Sequence, residues 1–300
     1  MGTLAPPGGL PLALTHRNRI NAGYESAERV RDAEGRQYHI GLAPGEVARH
    51  IMLVGDPARA TRVAGLFERI DLERRNREYV TYTGLHNGLP LTVMGTGMGG
   101  GPTEIAVVEL CQVVDNPVMI RCGSAGALQP GIQLGDLVVS QAALRLENTT
   151  RFFVDEGYPA VADPQAVLAL AGAAEACGHR YHVGITATAP GFYGAQGRNV
   201  PGFPPRDPEI VARLAAQGVK NLEMETSTLL TLATLRGFIA GAVCAVYATR
   251  HDNVFITPEQ KDAAELACVT TGLHALHTLH AMELARGARP TWHPGLPLTP

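Results

Sequence analysis

The chain has no surplus of basic residues: 25 Lys and Arg stand against 28 Asp and Glu, for a formal net charge of −3. Nothing in that balance points to a nucleic-acid partner or an anionic membrane. An anionic substrate must find its positive charge in a few placed side chains. Cysteine is scarce as well. The five residues Cys111, Cys122, Cys177, Cys244 and Cys268 contain no Cys-x-x-Cys pair. The count is odd and most lie in apolar runs, which predicts reduced, buried thiols, not a disulfide scaffold or a zinc site. That usage is cytoplasmic. No run of about 18 apolar residues occurs, so no membrane span is expected. Pro6, Pro7, Gly8, Gly9 and Pro11 interrupt the only apolar stretch near the start, so no signal peptide is read there. Pro6 also stands where a myristoylation signal needs Ser or Thr.

What is present is enough for a large core: 300 residues, 45% of them hydrophobic. Residues 1–36 are rich in Pro, Gly and charge with weak periodicity, and read as a poorly ordered extension. Residues 286–300 read as a loose Pro-rich tail. Between them, apolar runs at 51–54, 91–94, 118–121, 137–140, 183–188 and 239–248 predict strands, several buried on both faces. Helical patterns fit 57–68, 102–114, 164–177, 207–217, 225–236 and 258–285. The alternation argues for a single α/β domain over 37–285. Residues 196–206, rich in Gly, Pro and Arg, read as a long surface loop of the kind that covers active sites.

Chemistry-bearing residues stand at the ends of these runs. Gly55-Asp56-Pro57-Ala58-Arg59 follows the first strand and opens a helix, with Asp56 suited to the N-cap and Pro57 to the first turn. Such a turn can bind an anion on backbone N–H groups; it can equally be an ordinary capped helix. Gly95-Thr96-Gly97-Met98-Gly99-Gly100-Gly101-Pro102 contains a formal G-x-G-x-x-G. The dinucleotide reading fails, because the next strand ends in Arg121-Cys122-Gly123 and not in an acidic residue. A flexible loop close to a small ligand and a tight strand–helix crossing both remain open. Arg121 leaves a buried strand and needs a partner, either a phosphate shared with Ser124 or a structural carboxylate. Ser124 sits in Gly-Ser-x-Gly, which is not the hydrolase nucleophile elbow.

Glu223-Met224-Glu225 leads into a helix. Carboxylates at i, i+2 cannot share a face. One reading is capping and dipole compensation; the other turns one carboxylate inward to accept sugar hydroxyls. His274, His277 and His280 recur every three residues. A metal site is one reading, and a solvated or partly buried helix face is the more ordinary one.

In this order, with Phe192-Tyr193-x-x-Gln196-x-Arg198 between the anion and acidic motifs, the chain closely resembles the uridine phosphorylases of the nucleoside phosphorylase family, from about residue 38 to 284. The resemblance implies a three-layer αβα sandwich with a central mixed, partly barrel-like sheet. It implies a pentosyltransferase of pyrimidine salvage that converts uridine and phosphate to uracil and ribose 1-phosphate. Gly55, Arg59, Arg121 and Ser124 match phosphate-binding positions, and Arg77 matches an arginine that reaches the neighbouring subunit's phosphate. His39 matches a histidine at the neighbour's ribose, and Glu223, Met224 and Glu225 match ribose-binding positions. Phe192, Gln196, Arg198 and Arg250 match the base pocket, Arg250 standing where the purine branch has a proton-donating aspartate. Shared sites imply a homodimer as the minimal active unit, assembled further into a hexamer. No cofactor is required beyond phosphate as co-substrate; a K+ ion at the dimer interface would be held by Glu78, Met98 and Thr103. Departures from the pattern are one extra Gly in the glycine loop, Ala125 in place of a second hydroxyl, and Gly194-Ala195 before the glutamine. The alternatives are a purine nucleoside phosphorylase, a phosphate-independent nucleosidase and a non-catalytic nucleoside-binding protein.

Overall fold

A computed structural model describes residues 23–298; residues 1–22 of the expected extension and the last two residues lie outside it. The strands are β1 His50–Val54, β2 Arg69–Asn76, β3 Tyr79–His86, β4 Leu89–Gly95, β5 Val118–Ala127, β6 Leu137–Arg145, β7 Ala160–Val161, β8 Tyr181–Thr188, β9 Asn221–Glu223, β10 Ile239–Thr249 and β11 Val254–Phe255. The helices are α1 Pro57–Ala64, α2 Gly100–Val113, α3 Pro164–Ala176, α4 Ile210–Ala216, α5 Thr226–Arg236 and α6 Pro258–Arg286. All six expected strands and all six expected helices are present.

One mixed sheet runs β11-β10-β6-β8-β9-β5-β1-β4-β3-β2. A further pairing of β10 with β5 closes β10, β6, β8, β9 and β5 into a five-stranded ring. β1, β4, β3 and β2 extend from it as an open wing. Helices α1, α3 and α6 pack on one face through Val63, Ala169, Leu170, Leu273 and Leu276. Helices α2 and α5 cover the other through Val107, Leu110, Leu229 and Leu230. This is the expected three-layer, partly barrel-like α/β fold.

Local signals explain most boundaries. α1 begins as the sequence predicts, with the Asp56 carboxylate accepting from the Ala58 N–H at 2.8 Å and Pro57 in the first turn. It ends at Ala64, four residues before the expected 68, because Gly65 caps it. α6 opens with a reciprocal capping box between Thr257 and Gln260. β2 was not foreseen. Its sequence, Arg-Ile-Asp-Leu-Glu-Arg-Arg-Asn, is largely exposed at the sheet edge, where charge discourages pairing with another chain.

The chain ends have local order within the described residues. Arg36 pairs with Glu46 at 2.7 Å, and Arg31 bridges to Gln37. In the tail, the Trp292 backbone N–H donates to Gln165 at 3.1 Å and the ring packs on the core. Cys122, Cys244 and Cys268 are buried thiols, Cys111 is half-buried and Cys177 is exposed. Among the described residues no helix is long and apolar enough to cross a membrane.

Candidate active site

Register decides where the motif residues meet. Val54 pairs with Gly95 on β4 and with Cys122 on β5, so β1 and β4 end side by side while β5 runs on to Ala127. Ser124 pairs with Ala245 of β10, Gly126 with Leu222 of β9, and Thr188 of β8 with Glu223. The ends of β1, β4 and β9 and the C-terminal halves of β5 and β10 thus border one cavity of about 540 Å³. It is lined by Gly55, Arg59, Arg121, Ser124, Met224 and Glu225, and at the other end by Phe192, Gln196 and Arg198. A bulge between Val246 and Ala248 turns Tyr247 into the same space. Gly123 cannot be another residue: a Cβ there would lie 2.7 Å from Arg121 Nη2 and 2.9 Å from Cys244 Sγ. Gly99, at φ +99°, bends the glycine loop over Met224.

At the end near α1 the charges are buried and paired. Arg59 is 6% exposed; Nε faces Glu265 at 2.9 Å and Nη1 donates to the Cys122 carbonyl at 3.2 Å. Glu265 also pairs with Arg62 at 2.7 Å. Arg121 Nε donates to Glu223 at 3.3 Å, and Nη2 donates to Glu225. Neither contact uses Nη1. Burial opposes the charge on both arginines, but Glu265 beside Arg59, and Glu225 with Glu223 beside Arg121, hold them firmly protonated.

The two carboxylates of Glu223-Met224-Glu225 divide the roles that the sequence left open. Glu223 accepts from the Glu225 and Thr226 N–H groups at 2.8 and 2.9 Å and from the Thr188 hydroxyl at 2.5 Å. It caps α5 and braces Arg121. Glu225 accepts from the Gly99 N–H at 2.5 Å. Burial pushes its carboxyl up and Arg121 pulls it down. Met224 lies between them against the cavity.

The other end contains arginines without carboxylates. Arg198 stacks on the Phe192 ring at 3.7 Å and donates to Gln196 Oε1 at 2.6 Å. With that oxygen engaged, Gln196 has its amide NH2 to offer a ligand. Burial and the neighbouring Arg250 push the Arg198 guanidinium down to about 10. Arg250 does not line the cavity. Its Nη2 donates to the Gln196 carbonyl at 3.0 Å, and its stem lies where a side chain on Gly126 would be. Its place is behind the loop that carries Gln196.

Four expected residues therefore lie outside the cavity lining: Arg250, His39, Arg77 and Thr103. His39 Nδ1 is 2.6 Å from Glu109, and its ring stands edge-on to Tyr38 at 4.9 Å. Arg77 stacks on the same Tyr38 at 4.8 Å and donates to its hydroxyl at 2.7 Å. Arg77 is exposed, so the two form one surface patch. Glu78 and Met98 border the cavity; the buried Thr103 hydroxyl donates to the Gly99 carbonyl at 2.9 Å. Sequence reasoning missed Glu265, Thr188 and the role of Tyr247. The need of a buried Arg59 for a partner was the available signal for Glu265.

Residues 49–277 match the family model of the phosphorylase superfamily. The chain is 44% identical over 277 residues to a uridine phosphorylase of Thermococcus kodakarensis, covering 91% of this chain and 98% of that protein. It is 36% identical over 222 residues to the uridine phosphorylase of Escherichia coli K12, covering 71% and 86% respectively. It is 34% identical over 228 residues to a guanosine phosphorylase of Halorubrum lacusprofundi, covering 76% and 88%.

Proposed function

The chain belongs to the phosphorylase superfamily, and from that premise we propose that it is a uridine phosphorylase. The observation that carries this reading is a single cavity with anion-binding groups at one end, buried Glu225 between, and the Gln196–Arg198 pair at the other. Phosphate occupies the Gly55, Arg59, Arg121 and Ser124 end. Met224 and Glu225 receive the ribose, and Glu223 acts through Arg121 and the α5 cap. A phosphate oxygen forms a bond to C1′ of the ribose as the bond from C1′ to N1 of uracil breaks. The electron pair leaves with the base, which takes up a proton on release, giving uracil and ribose 1-phosphate.

Fixing the phosphate in line is a positioning effect. The departing base gains negative charge on its oxygens and N3, where the Gln196 amide and Arg198 donate. Interactions that strengthen as charge develops lower the barrier more than they aid substrate binding. No cofactor beyond the co-substrate phosphate enters this scheme. A K+ ion between Glu78, the Met98 carbonyl and Thr103 would brace the glycine loop.

A second copy of the chain completes the site. The single-chain phosphate end holds Arg59 and Arg121 against Glu265, Glu223 and Glu225, and so has no net positive charge for a dianion. The exposed Arg77–Tyr38–His39 patch supplies it across a homodimer interface, Arg77 toward phosphate and His39 toward ribose. Dimers then assemble into hexamers. The enzyme works in the cytoplasm, where its buried thiols remain reduced.

The test is turnover of uridine, thymidine, inosine and guanosine with and without phosphate. Phosphate-dependent release of uracil as the fastest reaction is expected. The likeness to a guanosine phosphorylase makes purine cleavage the second reading. Faster release of hypoxanthine or guanine would establish it, and release without phosphate would make the protein a nucleosidase.

A further inference from the structure

β1 and the last turns of α6 meet at the opposite end of β1 from Gly55. His50 opens β1 and is only 5% exposed. Its Nε2 is buried without a hydrogen-bond partner. Glu283 Oε2 faces it at 3.5 Å, a long contact at the edge of hydrogen-bond range. His280 stands one turn before Glu283 on α6, with its ring edge-on to His50 at 5.2 Å. One ring nitrogen from each histidine and one Glu283 oxygen all lie within 4.8 Å of one another. A buried ring nitrogen held only by so long a contact is poorly satisfied. The fold tolerates this one beside two other metal-ligating side chains.

We propose that His50 Nε2, a ring nitrogen of His280 and the Glu283 carboxylate bind one divalent transition metal of the zinc class. Two imidazoles and a carboxylate form a zinc donor set, with a fourth position left to water. Donors about 2.0–2.1 Å from a tetrahedral zinc stand roughly 3.3 Å apart, and the His50–Glu283 separation of 3.5 Å already approaches that. Binding must draw the His280 nitrogen, now within 4.8 Å of the other two donors, in to that spacing. Arg49 holds both Glu283 oxygens, at 2.6 and 2.5 Å. It orients the carboxylate as outer partners of metal ligands do, and its positive charge limits the affinity. The nearby pair His86 and His277 satisfy each other at 2.9 Å and need no ion.

The role of the metal is structural. Gly55 lies about 17 Å away along β1, and Glu265 about 22 Å away along α6. The ion pins together the two elements that carry Gly55 and Glu265 into the cavity, without entering it.

Full-length protein stripped of metal by a chelator is titrated with Zn2+ by calorimetry and with Co2+ by visible absorption. One Zn2+ per chain is expected, with a Tm rise of a few degrees, and a Co2+ band from nitrogen and oxygen ligands. His280→Gln and Glu283→Gln should weaken Zn2+ by roughly tenfold or more and abolish that band, with the far-UV spectrum unchanged. Arg49→Gln should tighten binding, and His277→Gln should leave it intact. Absence of stoichiometric uptake overturns the proposal. So does equal uptake by every variant, or loss with His277→Gln while His280→Gln still binds.

Discussion

The two ends of the cavity handle positive charge in opposite ways. At the α1 end, Arg59 and Arg121 are buried and matched by Glu265, Glu223 and Glu225. At the other end, Arg198 and Arg250 are half-buried, are held by Gln196 and backbone carbonyls, and face no carboxylate. The first arrangement is scaffolding: it fixes direction, and its charge is already compensated. The second is poised. Burial and mutual repulsion burden the Arg198 charge, and an electronegative group arriving in the cavity relieves both. On the proposed reading, developing negative charge is met at the base end, and the phosphate end is short of one cation.

The sharpest way to break this comparison is Arg121→Met. If Arg121 is scaffolding, its removal leaves Glu223 and Glu225 buried without their partner. Loss of about 3–5 kcal/mol of stability is then expected, read from the denaturant midpoint, together with loss of turnover. A variant of wild-type stability would show that Arg121 is only a ligand group. Arg198→Ala should do the reverse. Its unfolding midpoint should hardly move, while kcat/KM for uridine falls about 10²–10³-fold, roughly 3–4 kcal/mol. Phosphate affinity should be nearly unchanged; equal loss of both would remove Arg198 from the base end.

How far the sequence revealed these two ends differs too. Apolar runs that stop at Gly55, Gly95 and Arg121 marked the α1 end, because a strand buried on both faces must change composition where it emerges. The base end was visible only as the spaced set Phe192, Gln196 and Arg198. What the sequence hid shares one cause. Glu265 sits in a helix where acidic residues usually face solvent, so its burial needs the fold to be seen. β9 is three residues leading into the acidic motif, too short for any periodicity. His50 precedes the expected strand at 51–54 and carried no signal of its own; only packing against α6 brings it to His280 and Glu283.

The missing cation tests the shared-site reading. Arg77→Ala should leave each chain folded, since Arg77 is exposed and its contact is with Tyr38. Turnover should fall by roughly 1.5–3 kcal/mol, the usual worth of a charge-assisted hydrogen bond, mainly through KM for phosphate. Mixing it with inactive Arg198→Ala chains should restore activity, because a mixed dimer carries one site with both arginines intact. Failure of the mixture to regain activity would return Arg77 to a purely local role.

The smallest effect concerns pH. Burial first, and Arg250 second, push Arg198 down to about 10. The folded group thus releases its proton before the unfolded one does. Below about pH 10 both states are protonated and the cost of the buried charge is fully present. Above it the folded state sheds the charge, so this site's contribution to stability improves while its donor strength at the base is lost. Arg250→Met removes the second cause and leaves the first. The alkaline limb of kcat/KM for uridine should therefore move upward by a fraction of a unit, while Arg198 keeps its hold on Gln196 Oε1. A limb that stays in place would mean that burial alone sets Arg198, and that Arg250 acts only through the Gln196 carbonyl it holds.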